Sequence, residues 1–564
     1  MNMMAENRRV LVIGLDSATF DLIHPWSEEG LLPNLTKIME TGSFAPLAST
    51  LQPTTAPAWV TFMTGVNQGK HGLYDFVQRK AGSYNLEITS SVHVRAPFLF
   101  DYLGQQGQKV VALNIPYTYP PRPVNGVMIG GPFAPVVTRE LVYPPTYYET
   151  LRQVVPDYFV LPDFNGRAKD PMADYAQQLL KGVELREKLS LHLMQTEPWD
   201  LFMVVFMAAD EVQHTFWHCM AAAEGSPEAA YRHTIRQVYQ RLDTAVGRLI
   251  AQAEADGDER ETTVIVLSDH GAGEFRWMIN LNRWLADFGY LHFLPPQRRG
   301  GRQWQAQLMQ KLAVAYRNYV PADARATLRN RMGADRFSQM KEGFESKLLI
   351  SNVDWQQTQV YSLGAGGNIF INLAGREPEG IVPPEAYEPL RKRLIEELMT
   401  LADPVTGEQV IKKVHKREEL YAGPQLGNAP DLIIEWCDYA CWGRGRYDHG
   451  DPVFQAQRSF DYSVQPLTGS HRQHGVLLAM GPHIRQGEII AAPRLLDMAP
   501  TILAMLGLIP PDVMDGRILD ELFTPDWQPP QQAVDTDSVA GGMFAYDAED
   551  EEKITEHLRS LGYL

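Results

Sequence analysis

Cysteine is nearly absent from this chain: Cys219, Cys437 and Cys441 are the whole complement in 564 residues. Three thiols imply no disulfide framework, and a reducing compartment suits them. Cys437 and Cys441 lack further cysteine partners and read as packing residues. Positive charge is also scarce. Lys and Arg number 51 against 68 Asp and Glu, a formal net charge of −17. That balance argues against general nucleic-acid binding, which needs a basic face. It does not oppose a small anionic substrate, because bound divalent cations reverse the local field. Long apolar runs are missing too: none approaches the roughly 18–20 residues of a spanning helix. Residues Met1 to Arg9 carry Glu6, Arg8 and Arg9 without an apolar stretch of signal-peptide length. The expectation is a soluble, cytoplasmic protein with no membrane span; oligomeric state has no signature here.

What is present is more telling. Three apolar, largely β-branched runs each stop on an aspartate: Val10 to Asp16, Leu201 to Asp210, and Val264 to Asp269. Such runs read as strands buried on both faces, the kind found in parallel α/β sheets. Open parallel sheets place their chemistry just beyond the carboxyl ends of the strands. Three carboxylates reach that edge, two with histidines close behind (Asp210…His214 and Asp269-His270). This is the pattern of a site for a pair of hard or borderline cations, and hence of a metalloenzyme.

The length calls for more than one structural layer or domain. From Arg8 to about Trp284, short strands alternate with helical patterns, as in a doubly wound sheet. Val110–Asn114 and Gly126–Gly131 add strands; Tyr175–Gln195 and Ala229–Ala255 read as helices. Strand patterns resume at Gln359–Leu363, Asn368–Asn372, Asp431–Trp436 and Gly475–Met480, and Leu495–Leu506 reads as a core-facing helix. The division expected is a core of residues 8–294 and 348–523, a basic helical insertion at 295–347, and a linker with a short C-terminal helix at 524–564. In the insertion, Arg298 to Lys347 bring basic residues in excess over acids. A solvated helical pair is the plainer reading, a cationic lid the functional one. Ile554, Leu558 and Leu561 share a face of the last helix, which is expected to dock on its own domain.

Between Leu51 and Gly65, Pro53 and Pro57 bracket Thr54 and Thr55, and a helical pattern follows. A hydroxyl at a helix N-terminus can cap the helix, or sit where amide groups and the dipole favour an anion; on this segment alone, capping is the stronger reading. Asp210 and His214 fall one helical turn apart on one face. Asp269-His270-Gly271 forms a turn after a strand, and Gly469-Ser470-His471 precedes another. Asn114, Tyr117, Tyr119, Trp217 and Trp277 are candidates to line a pocket, with core packing preferred for each.

Taken in order, Gly14-Leu15-Asp16, Thr55 to Gly65 with His71-Gly72, Asp210…His214, Ser268 to Gly271, Gly469 to His471 and Asp497 to Thr501 resemble the alkaline phosphatase superfamily. Within it they resemble the type I phosphodiesterase/nucleotide pyrophosphatase family, over about Val10 to Gly516. The resemblance implies an α/β fold: a doubly wound, mostly parallel sheet flanked by helices, here with a helical insertion. It also implies two divalent metal ions, usually zinc, with manganese as the alternative. Asp16, Thr55, Asp269 and His270 would surround one metal, and Asp210, His214 and His471 the other. His474 is the alternative to His471, which holds the Gly-x-His position before the strand. Thr55 would be the nucleophile, passing through a phosphothreonyl intermediate, and the partner a small phosphorylated substrate.

The nucleophile sorts the branches. Sulfatases place a cysteine-derived residue here followed by x-Pro-x-Arg, and phosphomonoesterases resemble serine users; Thr55-Ala-Pro-Ala-Trp59 resembles the diesterase and phosphonate-hydrolase branches. Nucleotide pyrophosphatases usually carry Asn a little beyond the nucleophile, where this chain has Ala58, so nucleotide substrates are in question. The leading expectation is a phosphodiesterase or pyrophosphatase. The alternatives are a phosphomonoesterase, a phosphonate or phosphoglycan hydrolase or transferase, and a metal-bound structural protein.

Overall fold

The computed structural model describes residues 8–80, 82–134, 137–255, 260–294, 353–445, 450–456, 465–487, 490–534, 553–555 and 557–558. The expected insertion at 295–347 lies outside them. Its main sheet contains β1 (Arg8–Leu15), β2 (Ser43–Ala48), β3 (Val110–Ile115), β4 (Gly126–Gly130), β5 (Val142–Tyr143), β6 (Leu201–Phe206), β7 (Glu261–Leu267) and β8 (His474–Met480). Their spatial order is β2-β8-β7-β1-β6-β3-β4-β5. The middle is parallel: β1 pairs with β6 and β7, and β3 with β6 and β4. Antiparallel pairings flank it, β8 with β7 and β2, and β5 with β4.

The continuous apolar runs have a direct cause. All six residues of β3 and of β6 are buried, as are the last seven of β1, because helices cover both faces and no strand position faces water. Burying each Val, Leu or Ile of β1 contributes about 1.5–3 kcal/mol relative to leaving it exposed.

Five helices matter for the site: α1 (Thr55–Thr64), α2 (Pro171–Thr196), α3 (Ala208–Phe216), α4 (Thr234–Ala255) and α5 (Met498–Met505). Asp170 caps α2, its side chain accepting from the Ala173 amide, and α2 packs against α4. The helical pattern from Ala229 divides in two. Pro227–Tyr231 form a separate 3-10 turn, with proline at its first position, and α4 starts only at Thr234. Proline presets φ for a first turn and so starts its own short element.

A second, antiparallel sheet joins Val360–Leu363, Asn368–Ile371, Leu432–Trp436 and Ile411–Lys416. Smaller pairings bring Gly469–Arg472 against Gly271–Glu274, and Cys441–Arg444 against Trp277–Asn280. Ile554 and Leu558 are buried. Among the described residues, no helix is long and apolar enough to cross a membrane.

Candidate metal centre

The end of β1 delivers Asp16, and its placement begins two residues earlier. A Cβ at Gly14 would lie 2.7 Å from the Trp59 ring and 2.8 Å from Val205. Without one, Trp59 lies across β1 and its indole Nε1–H donates to Asp16 Oδ2 at 2.8 Å. The chain then turns away sharply: Ser17 holds φ +64°, a left-handed conformation that costs energy for a residue with a side chain. Its amide donates to Asp269 Oδ1 and its hydroxyl to the Gly271 carbonyl, both at 3.3 Å. These bonds tie the ends of β1 and β7 together. His270 Nε2 lies 3.2 Å from Asp269 Oδ2 and 3.9 Å from Asp16 Oδ1.

Thr55 opens α1 beside this cluster, its Oγ1 3.4 Å from His270 Nε2. The N-cap position belongs to Thr54, whose side chain makes no capping hydrogen bond.

A second cluster forms where α3 meets the strand Gly469–Arg472. Asp210 and His214 sit one turn apart, and His471 reaches them from the strand. His214 Nε2 and His471 Nε2 are 3.0 Å apart, and each is 3.3 Å from Asp210 Oδ1. Gly469 permits the approach: a Cβ there would stand 2.2 Å from the Gln213 carbonyl oxygen.

Every histidine of the site is oriented by a main-chain carbonyl. His214 Nδ1–H donates to Gly469 O at 2.9 Å, His471 Nδ1–H to Pro53 O at 2.6 Å, and His270 Nδ1–H to Gly271 O at 3.2 Å. A carbonyl only accepts, so the proton resides on Nδ1 and the Nε2 lone pair is turned into the cluster, the arrangement a metal-binding imidazole needs.

The donor set fits cations on three further counts. Among the described residues, two groups of three have ligand atoms within 4.8 Å of one another, Asp210-His214-His471 and Asp16-Asp269-His270, all buried. Asp16 Oδ1, Asp210 Oδ1 and Asp269 Oδ2 are buried oxygens without a hydrogen-bond partner, a costly state for a carboxylate unless a cation meets it. The separations of 3.0–3.3 Å in the Asp210 cluster match the roughly 3.3 Å edge of a tetrahedron built with zinc–ligand bonds of about 2.0–2.1 Å.

The electrostatics express the same tension. Burial, then Asp269 and Asp210, pushes the Asp16 carboxyl well above its ordinary range, and burial, then Asp210, does so for Asp269. Burial also opposes charge on Asp210, yet His214 and His471 hold its carboxyl well below the usual range. Burial, then His471, drives His270 well down, and burial lowers His471. Burial works against charge on His214 as well, but Asp210 raises it.

All seven residues singled out by motif therefore lie in these clusters or beside them. His474 is exposed at the start of β8. Ala58 is part of the hydrophobic core. Asn114 bonds the Val205 carbonyl, Tyr117 pairs with Thr89, and Trp277 donates to Asp403, which are internal roles. Two further residues frame the clusters: Trp59, the hydrogen-bond partner of Asp16, and Trp442, whose ring meets His471 edge-on at 5.9 Å. Trp59 lies within the Thr55 block, so the motif already contained it. Nothing in the sequence marks Trp442.

A sheet with acidic strand ends carries two histidine–aspartate clusters around a helix-terminal hydroxyl, the make-up of a metal-dependent hydrolase site. The family model for type I phosphodiesterase / nucleotide pyrophosphatase matches residues 10–450, and the chain belongs to that family. His471 lies beyond the matched stretch and enters the site through the fold. A search of curated proteins gives no match. Solved structures similar to this chain include human ectonucleotide pyrophosphatase / phosphodiesterase 5, at 13% identity over 90% of this chain and 97% of that one, with a TM-score of 0.46. The murine protein is 13% identical over 88% and 95%, TM-score 0.44. Phosphonoacetate hydrolase from Sinorhizobium meliloti 1021, in complex with phosphonoformate, is 13% identical over 89% and 96%, TM-score 0.49.

Proposed function

We propose that this chain cleaves phosphodiester or pyrophosphate bonds of small phosphorylated substrates in two displacements through Thr55. In the first, Thr55 Oγ1 gives up its proton to solvent and bonds to phosphorus while the bond from phosphorus to the departing oxygen breaks, that oxygen leaving with the electron pair and taking a proton from solvent. In the second, a water oxygen bonds to phosphorus as the bond to Thr55 Oγ1 breaks, and one proton of the water restores the Thr55 hydroxyl. The observation that carries this reading is the position of the hydroxyl, buried at the first residue of a ten-residue helix and 3.4 Å from His270 Nε2. Helix N-termini offer amide groups and a dipole to a phosphoryl anion.

Asp16, Thr55, Asp269 and His270 would hold one cation, and Asp210, His214 and His471 the other. Zinc suits this mixture of imidazole and carboxylate, with manganese as the alternative. When bound, such a pair lowers the pKa of the attacking hydroxyl and stabilises charge on the departing oxygen. The chain's own residues do the rest. Trp59 and Ser17 fix the two carboxylates of the first cluster, and three main-chain carbonyls fix the imidazoles.

No basic side chain occurs in the 55–59 block to offset the extra charge of a monoester dianion, which favours diesters. The test is kcat/KM for an aryl methyl phosphodiester against the corresponding aryl monoester. A higher value for the diester is expected; a higher value for the monoester moves the chain to phosphomonoester chemistry.

A further inference from the structure

A small cavity lies between α2, residues 159–162 and the start of α3, and among the described residues none of the seven candidate ligands lines it. Arg186 on α2 and Glu211 on α3 both border it. Arg186 is 3% exposed. Gly182, one turn earlier, makes room for it: a Cβ there would lie 3.2 Å from Arg186 Nη1 and 3.4 Å from the Phe159 ring. The guanidinium is held by neutral oxygens. Nη1 donates to Gly182 O at 3.0 Å, and Nη2 to Asn114 Oδ1 at 3.3 Å, Phe159 O at 3.2 Å and Val160 O. Its Nε–H, also buried, meets no acceptor.

Glu211 presents the opposite need. It is 1% exposed, and its Oε2 accepts from the Tyr175 hydroxyl. Tyr175 in turn accepts from Gln465 Nε2 at 3.1 Å. Oε1 is buried without a hydrogen bond, His557 Nε2 standing 3.4 Å away. One cavity thus borders a cationic donor and an anionic acceptor, each lacking a partner. A buried polar group left in that state costs about 1–3 kcal/mol, more when charged. The volume is about 20 Å³, above the roughly 10–15 Å³ that one water needs. A small anion would answer Arg186 but face the Glu211 carboxylate, and a cation would meet the reverse. A water accepts from the one and donates to the other.

We infer that this cavity binds a water molecule that accepts from Arg186 Nε–H and donates to Glu211 Oε1, and that Arg186 thereby acts as a positioning residue for Asp210. Glu211 follows Asp210 in the first turn of α3, so a carboxylate fixed at 211 fixes the turn that delivers the ligand. The far end of these contacts is the sheet: Asn114 Oδ1 accepts from Arg186, and Asn114 Nδ2 donates to Val205 O at 2.7 Å. The water is independent of any metal; the role of Arg186 rests on the two-cation reading above.

A high-resolution crystal structure of the full chain tests the water. An ordered water within hydrogen-bond distance of both Nε and Oε1 is expected; an ordered anion, a direct contact between the two side chains, or no density there overturns the inference. Zinc affinity, measured by competition with a chelator, tests the positioning role in Arg186→Met, Glu211→Gln and the double variant. Each single change should weaken one of the two cations by about tenfold, the lower end of what outer-shell partners contribute, and leave the other at its wild-type affinity. The double variant should be no weaker than the weaker single, because both changes break the same bridge. Losses that multiply, equal losses for both cations, or unchanged affinities overturn the role. Where Arg186→Met does not fold, Arg186→Lys, which keeps the charge and lacks the Nε–H, takes its place. If the wild type binds fewer than two cations, the two-cation reading fails and takes the role of Arg186 with it, while the crystal structure still decides the water.

Discussion

The rings of His270 and His471 stack with centroids 3.7 Å apart and planes inclined by 24°. One belongs to the Asp16-Asp269 cluster and the other to the Asp210-His214 cluster, so this contact fuses the two into one centre. Burial lowers the pKa of both, and for His270 the neighbouring His471 lowers it further.

The centre is expected to hold two divalent cations per chain. Elemental analysis of the purified protein should find two equivalents, falling to about one in His471→Ala. Chelation should abolish turnover and lower Tm, since it leaves three buried carboxylates uncompensated. Metal-free protein with full activity would end the two-cation reading.

Thr55→Ala should reduce kcat by about a thousandfold or more while metal content stays near that of the wild type; Thr55→Ser should retain part of the activity. Were Thr55 only a helix cap, the Ala variant would lose about 0.5–2 kcal/mol of stability and keep its turnover. Tm and rate measured on the same variant separate the two roles.

Gly469→Ala should damage the second cluster selectively. Its Cβ would stand 2.2 Å from the Gln213 carbonyl oxygen, so the strand must retreat from α3 and His214 loses its Nδ1 acceptor. A destabilisation of about 1–3 kcal/mol is expected from overpacking, with loss of about one metal equivalent. A variant that melts normally and binds both metals contradicts this account of the glycine.

His71 gives a pH dependence. It is wholly buried, its ring bonded to Thr61 Oγ1 and the Leu73 amide, and burial lowers its pKa from 6.5 to about 3. Above pH 6.5 both folded and unfolded chains keep it neutral. Below that, only the unfolded chain takes up the proton, so stability falls with pH until about pH 3. The loss from this one group amounts to about 1.4 kcal/mol at pH 5.5. Denaturant unfolding of His71→Gln across pH 7.5 to 5 should show a correspondingly shallower decline than the wild type.

The strands that precede Asp16, Asp210 and Asp269 were readable because central parallel strands must be apolar throughout; Asp16 and Asp269 follow directly at the sheet edge, whereas the run to Asp210 leaves the sheet at Phe206 and Asp210 lies in the first turn of α3. Thr55 was readable as the opening of a helix, though not its distance from His270. Other features left no trace in residue identity. The acceptors that orient the three imidazoles are main-chain carbonyls of Pro53, Gly271 and Gly469, which any residue type supplies. Trp442 reaches the site through strand pairing with Met278, a relation no local pattern encodes. Likewise, Gly475–Met480 read as a strand, but its insertion between β2 and β7 depends on long-range packing.

The order of the ligands along the chain has a consequence for biosynthesis. Asp16, Thr55, Asp269 and His270 have all left the ribosome before the second sheet is made, and β1, β6 and β7 are available to form the parallel middle by then. Asp210 and His214 emerge early as well, but His471 and the Gly469 carbonyl that aims His214 follow only after that second sheet. Under the two-cation reading, the Asp16, Thr55, Asp269 and His270 set is therefore complete in the nascent chain well before the Asp210, His214 and His471 set.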